Sequence, residues 1–227
     1  MNDPEPPRLP GLGWLREPIN ALTHGVGVIL GLVGLVALIV LADGEPWRLA
    51  SSVVYGVSLV VLFLASTLLH AVRASPGVLR LLRLFDHAAI FVLIAGSYTP
   101  ITLVTLQEQN PTLAWTLFAV AWGFALLGVA FKLVWIGAPR WVSTGLYLAM
   151  GWLAVVAIGP LVSAMPAPGL AWLIAGGVAY TVGAVVYARK RPDPIPQVFG
   201  YHELWHLFVL AGSACHYVLI ARYVVAA

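Results

Sequence analysis

The sequence predicts an all-α integral membrane protein, a bundle of seven transmembrane helices. Two observations support this fold class. Hydrophobic residues make up 61% of the 227 residues and charged residues only 9%, whereas soluble domains carry about 25% charged residues. In addition, seven apolar stretches follow one another, each close to the length of about 20 residues that a helix needs to cross a bilayer. The remaining residues suffice for short connections but not for a sizeable soluble domain.

The spans are predicted at residues 20–41, 50–72, 85–105, 112–134, 141–161, 168–188 and 203–224. Each ends where charged residues, Pro or Gly interrupt the apolar pattern. In chain order, these interruptions are Asp43 to Pro46, Arg73 to Arg83, Gln107 to Pro111, Gly137 to Arg140, Met165 to Pro168 and Arg189 to Pro196.

The N-terminal segment, residues 1–16, is rich in Pro up to Pro10, and we expect it to be a disordered cytoplasmic tail. Residues 17–227 then form the membrane domain. The first span has no basic n-region and no small-residue cleavage site after it, so we expect it to be retained. Within this span, Gly27 and Gly31 form a small-xxx-small pair that suits close helix packing.

The positions of Lys and Arg predict the orientation, because positively charged loops tend to stay in the cytoplasm. Ten of the twelve basic residues fall on the side of the N-terminus, and only Arg48 and Arg222 fall on the other side. We therefore expect a cytoplasmic N-terminus and an external C-terminus. Because the chain leaves no room for a sizeable soluble domain, we expect no nucleic-acid partner, although the net charge is +3.

Ionisable and polar groups inside spans are costly and are functional candidates by default. The set is His24, Ser66, His70, Asp86, His87, His202, Glu203, His206 and His216. With the predicted orientation, His70 lies near the inner end of span two, Asp86 begins span three, and His202 and His206 begin span seven. The sequence thus predicts that three spans bring these four residues to one level near the cytoplasmic leaflet.

This convergence indicates a zinc site. His202 and His206 are four residues apart, so both imidazoles lie on one helical face. Together with His70 they provide three nitrogen ligands, which leave a fourth zinc position for water. Asp86 would hydrogen-bond that water or a ligand ring, and Ser66 lies one turn from His70 on the same face.

Simpler interpretations exist for several of these residues. His24, His87 and His216, each taken alone, are more typical of hydrogen-bonding or headgroup-contacting residues than of ligands. Asp86 alone would suit a helix N-terminus, paired with Arg83. The single cysteine, Cys215, excludes an intramolecular disulfide and a Cys-rich metal site.

The segment from His202 to His206 also reads His-Glu-x-x-His, the string that gives metalloproteases two zinc ligands and a Glu general base. On that interpretation Glu203 would be the base of an intramembrane protease. We regard this as the minor alternative, because no third-ligand motif of the known intramembrane proteases is present. The carboxylate of Glu203 also suits the first turn of a helix.

The chain resembles bacterial haemolysin III family proteins, and is similar to the progestin and adipoQ receptors within the superfamily of alkaline ceramidases. The resemblance covers about residues 17 to 217. The matching motifs are Glu17-x-x-Asn20-x-x-x-His24, Ser66-x-x-x-His70, Asp86-His87, Gly96 to Pro100, and Phe199 to His206. It implies seven helices with a cytoplasmic N-terminus, zinc held at His70, His202 and His206, and roles near the metal for Asp86 and Ser66. The receptor branch often has Gln where this chain has Glu203.

Three classes of function follow as expectations. The first is a zinc-dependent lipid amide hydrolase in the bacterial inner membrane, with Asp86 and Ser66 as catalytic residues and membrane lipids as partners or substrates. The second is a pore-forming cytolysin or a membrane-homeostasis protein with structural zinc, and the third is a receptor-like lipid sensor. The sequence leaves the substrate and a homo-oligomeric state open.

Overall fold

The computed structural model describes residues 12–227, and these form a bundle of seven long helices without β-strands. All seven are long and apolar enough to cross a membrane. They are α1 (Pro18–Leu41), α2 (Pro46–Ala71), α3 (Pro76–Gln109), α4 (Pro111–Val134), α5 (Arg140–Ala164), α6 (Ala167–Arg189) and α7 (Tyr201–Val225). The predicted fold class is confirmed. Most of the predicted N-terminal tail, residues 1–11, lies outside the described residues.

The helix starts follow simple local chemistry. Pro occupies the first turn of α1, α2, α3, α4 and α6, where its missing N–H costs nothing. The side chain of Glu45 accepts hydrogen bonds from the first backbone N–H groups of α2, and that of Asn110 accepts one from Leu113 in α4. At the start of α7, Glu203 accepts a hydrogen bond from the N–H of Gly200.

The predicted start of the third span, residue 85, was wrong. Helix α3 begins at Pro76, nine residues earlier, and includes Arg80 and Arg83. A helix end can carry Arg side chains beyond the apolar zone, because their long stems place the charge in a polar environment. Asp86 consequently lies almost three turns inside α3, about 15 Å from its start. Its position is therefore not explained by a preference for a helix N-terminus.

Neighbouring helices pack mainly as sequential pairs, and α7 also packs against α1, which closes the bundle. As predicted, Gly27 and Gly31 allow close helix packing, and α1 uses them to pack against α2. A Cβ atom at Gly27 would lie 2.6 Å from the ring of Phe63, and one at Gly31 would lie 3.3 Å from Val60. Helix α1 also exposes many large aliphatic side chains, among them Val33 at 65%. Such an exposed apolar face suits contact with lipid rather than water.

Two helices contain irregular segments, α3 near its C-terminal end and α5 near its middle. After Pro100, α3 continues as a π-helix over Ile101–Leu106, and α5 contains a 3-10 segment over Trp152–Ala157. Pro160 follows that segment. Because Pro has no backbone N–H, it cannot donate a hydrogen bond to a carbonyl of the preceding turn. The hydroxyl of Tyr98 on α3 lies 2.7 Å from the carbonyl of Gly151 and accepts a hydrogen bond from the N–H of Ala154 at 2.8 Å. A side chain of α3 thus satisfies the backbone groups that the break in α5 leaves free.

Candidate metal centre

Three histidines from two helices meet inside the bundle. His70 lies in the last turn of α2, and His202 and His206 lie in the first two turns of α7. One possible ligand atom from each lies within 4.8 Å of the other two. The Nε2 atoms of His70 and His202 are 3.4 Å apart. The predicted convergence of these three residues is therefore present at the end of the bundle where α1 begins, which we call the N-side end.

A carboxylate fixes the orientation of the first of these rings. The Nδ1 atom of His70 lies 2.5 Å from Oε2 of Glu17, so the proton of the ring sits on Nδ1 and Nε2 is left to face the other imidazoles. Carboxylates that hold metal-binding histidines in this way set the tautomer and raise the ligand basicity. In the sequence, Glu17 begins the motif Glu17-x-x-Asn20-x-x-x-His24, but the residue pattern alone does not indicate a role for it.

The backbone explains how Glu17 reaches this position. Its N–H donates to the carbonyl of His70 at 2.9 Å, and the N–H of Arg16 donates to the carbonyl of Ala71. Burial raises the pKa of Glu17, but the hydrogen bond and charge of His70 and the charge of Arg16 outweigh it and lower the pKa to about 2. The carboxylate therefore stays ionised across the physiological range.

His24 on α1 braces the second histidine of α7. The ring of His24 stacks on that of His206, with centroids 3.7 Å apart and an interplanar angle of 17°. Its Nε2 atom also lies 3.4 Å from the carbonyl oxygen of His206. His24 is 3% exposed, yet it is not one of the three converging ligands. Its position indicates a supporting role, in agreement with the simpler interpretation of this residue.

Glu203 is engaged away from the three imidazoles. One carboxylate oxygen accepts from the N–H of Gly200 at 2.8 Å, and the other accepts from the side-chain amide of Asn20 at 2.9 Å. A metalloprotease base must instead face the water beside the metal. The geometry thus assigns Glu203 to the start of α7 and to its contact with α1, and it does not favour the protease interpretation.

Asp86 and Ser66 lie beside the histidines but outside the ligand set. Both line the same cavity as His202 and His206, and the carboxyl group of Asp86 interacts with the hydroxyl of Ser66 and with His70. Ser66 is 2% exposed. Asp86 does not belong to the group of ligand atoms that converge within 4.8 Å. Within the described residues, the protein therefore offers three ligands at this point and not four.

His87 and His216 are separate from the cluster. His87 follows Asp86 on α3 and also lines the cavity, and its buried Nδ1 atom has no partner among the described residues. His216 lies further along α7, where its Nε2 atom is 3.4 Å from the carbonyl oxygen of Leu173 and its ring contacts Tyr180. It also lines the cavity, but it lies ten residues after His206, about 15 Å along the helix, and is not one of the converging ligands.

The cavity itself has a volume of about 230 Å³ and runs along the inside of the bundle. Its walls are mainly apolar side chains of α3, α5, α6 and α7, with polar groups concentrated toward the N-side end. At the opposite end, an apolar cluster closes the bundle. Its members are Ile101, Leu106, Ala114, Leu117, Ala157, Leu161, Met165, Leu219 and Val224.

The residues present fit a zinc ion. Imidazole nitrogen is a preferred zinc ligand, and three protein ligands with one open position is the arrangement of catalytic zinc sites. The buried Nδ1 atom of His206 has no hydrogen-bond partner among the described residues, which is costly for a ring nitrogen unless a ligand satisfies it. The carboxylate of Glu17 behind His70 adds the usual outer support of such a site.

Comparison with known proteins agrees with this architecture. A family model described as "Haemolysin-III related" matches residues 12–217. The chain belongs to the haemolysin III family. It is 42% identical over 214 residues to hemolysin-3 of Bacillus cereus, an alignment that covers 93% of each chain. It is 40% identical over 212 residues to the hemolysin-3 homolog of Bacillus subtilis, covering 92% of this chain and 95% of that protein.

A more distant relative supports the resemblance to the progestin and adipoQ receptors. Human monocyte to macrophage differentiation factor is 30% identical over 208 residues, which cover 90% of this chain and 82% of the human protein. The matched region of this haemolysin III family protein contains all the candidate site residues, from Glu17 to His216. It is a multi-pass membrane protein whose histidine cluster lies within the region that the family model matches.

Proposed function

We propose that this haemolysin III family protein is a zinc-dependent hydrolase of lipid amides that acts near the cytoplasmic leaflet of the bacterial inner membrane. One observation carries the proposal. Three imidazoles have ligand atoms within 4.8 Å of one another, and two of them, on His202 and His206, line an apolar cavity together with Asp86 and Ser66. A metal with an open position, a carboxylate and a hydroxyl beside an apolar cavity are the parts that hydrolysis of a lipid amide needs.

His70, His202 and His206 would hold the ion, and Glu17 keeps His70 in the tautomer whose Nε2 faces it. Zinc at this point would lower the pKa of water to about 7 and so supply a nucleophile at neutral pH. The neighbouring rings are set by packing, because His24 stacks on His206 and the ring of Tyr187 lies 5.7 Å from that of His202. The first turns of α7 are therefore fixed before substrate arrives.

The remaining chemistry falls to two side chains. Asp86 accepts a proton from the attacking water and returns it to the nitrogen of the amide as the C–N bond breaks. Ser66 donates its hydroxyl proton in a hydrogen bond to the carbonyl oxygen, where negative charge develops during attack. The products are a fatty acid and an amine. The contact between Asp86 and Ser66 supports their action at one reacting centre.

Two observations favour this function over the other candidates. Asp86 stands outside the converging ligand set, whereas a structural zinc site is usually closed by four protein ligands. The apolar cluster between Leu106 and Val224 fills the end of the bundle opposite the histidines, and a water-filled pore through one chain would need polar groups there. A receptor-like role shares the lipid-binding cavity and differs only in lacking turnover.

The metal assignment is tested by elemental analysis of purified variants. His70→Ala and His206→Ala should each lose bound zinc, because two imidazoles no longer suffice for tight binding. His216→Ala is the matched control: it removes a buried imidazole from the same cavity and should keep the metal. Unchanged zinc in the first two variants would overturn the assignment.

The reaction is tested by incubating the wild-type protein in detergent with a panel of ceramides and N-acyl amides. We expect release of fatty acid that stops when a chelator is added and returns with zinc. Asp86→Asn should retain zinc but lose about 10² to 10⁴-fold of the rate, the usual contribution of a positioned acid or base. A folded, zinc-loaded protein that hydrolyses no member of the panel would argue for the receptor-like alternative.

A further inference from the structure

A buried lysine lies at the N-side end of the cavity, outside the histidine cluster. Lys132 is near the end of α4 and is 1% exposed. Its Nζ atom donates a hydrogen bond to the hydroxyl oxygen of Ser143 on α5 at 2.5 Å. The proposed hydrolysis uses neither residue.

No carboxylate among the described residues 12–227 forms an ion pair with Lys132. A hydroxyl satisfies one of the three N–H donors of an ammonium group but supplies no negative charge. Buried charges are normally paired, because removing an ion from water is costly. The Nζ atom also lies 5.6 Å from the ring centroid of Phe131, and neither that ring nor the hydroxyl carries a formal negative charge. A buried cation in this setting therefore indicates a position where an anion binds.

The cavity places this cation beside the candidate metal centre. Lys132, Ser143 and Arg140 line the same cavity as His202 and His206. Arg140 connects the two regions: its guanidinium lies 5.2 Å from the ring centroid of Tyr187, and that ring lies 5.7 Å from the ring of His202. An anion held at Lys132 thus shares one space with the histidines and with the apolar walls.

We propose that Lys132, assisted by Ser143 and Arg140, binds the acidic head group, a carboxylate or phosphate, of an acyl lipid whose chain occupies the apolar part of the cavity. The inference rests on the proposed function and narrows its substrates to lipid amides with a negatively charged head. The ammonium group gives its remaining N–H donors and its charge to the anion, and the apolar walls accept the acyl chain. A neutral head group leaves the lysine without a counter-charge.

The test compares three compounds on the full-length protein in neutral detergent, with binding measured by native mass spectrometry or calorimetry. N-palmitoylglycine is the acidic lipid amide, N-palmitoylethanolamine is its neutral counterpart, and N-acetylglycine is the same acid without the long chain. We expect the acidic lipid to bind at least about tenfold more tightly than the neutral one, as one charge-assisted contact supplies. N-acetylglycine should bind far more weakly than either; tight binding of this compound would show a site for free anions and overturn the lipid assignment.

Variants then locate the preference. Lys132→Met keeps an unbranched apolar stem but removes the charge. In this variant, the acidic and the neutral lipid should bind with about the same affinity. Lys190→Met is the matched control, because it removes the same charge from an exposed position beyond α6, and it should retain the preference. Ser143→Ala should weaken it by a smaller factor, since the ammonium group remains. The inference is overturned if the wild-type protein binds both lipids with equal affinity, or if Lys132→Met still prefers the acidic lipid. If Lys132→Met does not fold, the comparison of the two lipids on the wild-type protein decides the question.

Measuring fatty acid release from the same lipids separates the two proposals. Binding that depends on Lys132 without any hydrolysis would refute the hydrolase and leave the head-group site standing. Hydrolysis of both lipids at equal rates, with no effect of Lys132→Met on binding, would refute the head-group site and leave the hydrolase standing.

Discussion

The hydrogen bond between Glu17 and His70 allows a sharp prediction about metal affinity. Replacing Glu17 by Gln keeps the size of the side chain but removes the charge that holds the ring. The contact is 2.5 Å long, and the side chains of His70 and Glu17 are 5% and 27% exposed. The ring is therefore almost completely shielded from water, and no solvent molecule can readily replace the lost partner.

The expected loss follows from the behaviour of such outer-shell groups. Removing a carboxylate behind a metal-binding histidine typically weakens metal binding by about 10 to 100-fold. Because the amide of Gln still offers a neutral acceptor oxygen, and because Glu17 is partly exposed, we expect the lower part of this range, about 10 to 30-fold. This corresponds to roughly 1.4 to 2 kcal/mol.

The measurement is a competition between the purified protein and a fluorescent zinc chelator. Glu17→Gln should bind the same amount of zinc as the wild type at saturation, with the affinity reduced as above. Glu108→Gln serves as the control, because Glu108 is an exposed carboxylate at the opposite end of α3, and its affinity should equal that of the wild type. If Glu17→Gln and Glu108→Gln bind zinc equally well, the carboxylate does not support the ligand and our reasoning about the site is wrong.

Three further predictions concern the packing and the start of α7. Tyr98→Phe removes the hydroxyl that bonds Gly151 and Ala154 at the break in α5; we expect a loss of about 1 to 3 kcal/mol and a melting temperature lower by roughly 3 to 10 °C. Tyr217→Phe loses one hydrogen bond, to the carbonyl of Gly34, and should lower the melting temperature less. Equal shifts of the melting temperature in the two variants would contradict the bridging role of Tyr98. Gly27→Ala should destabilise the protein by about 1 to 3 kcal/mol, because the new methyl group meets the ring of Phe63; Gly177→Ala, with nothing within 4 Å, is its control, and equal thermal stability of the two variants would refute the clash. Glu203→Gln should keep zinc and retain hydrolysis within about tenfold, whereas a folded variant that loses 10² to 10⁴-fold would indicate a general base.

The histidine cluster could be predicted from the sequence because it depends only on the spacing of residues within one helix and on the order of the spans. Two imidazoles four residues apart on α7 must share a face, and alternating helix directions bring the end of α2 to the start of α7. Glu17 could not be assigned in this way, since it lies outside the apolar span. Its place depends on backbone hydrogen bonds between residues 16 and 17 and the end of α2, which no periodic pattern reveals.

The errors have a similar origin in tertiary structure. The apolar pattern marks where a helix contacts lipid, but α3 continues beyond it through Arg83 and Arg80 to Pro76. Pro160 gives a local reason for a break in α5, yet the hydroxyl that stabilises the break comes from Tyr98 on α3. The sequence shows Lys132 only as one of the twelve basic residues, and its burial against Ser143 depends on how α4 and α5 pack.

The two ends of the bundle constrain how a ligand can approach the histidines. Polar side chains concentrate on the N-side end, where Lys132, Arg140 and His202 border the cavity, while the opposite end is filled by the apolar cluster that includes Leu106 and Leu219. A charged head group that entered from the apolar end would lose its hydration before it met a compensating charge. An amphiphile that enters at the N-side end meets the cations first and then places its chain among apolar walls. The same polarity that positions the proposed head-group site therefore sets the direction from which the proposed substrate would reach the candidate metal centre.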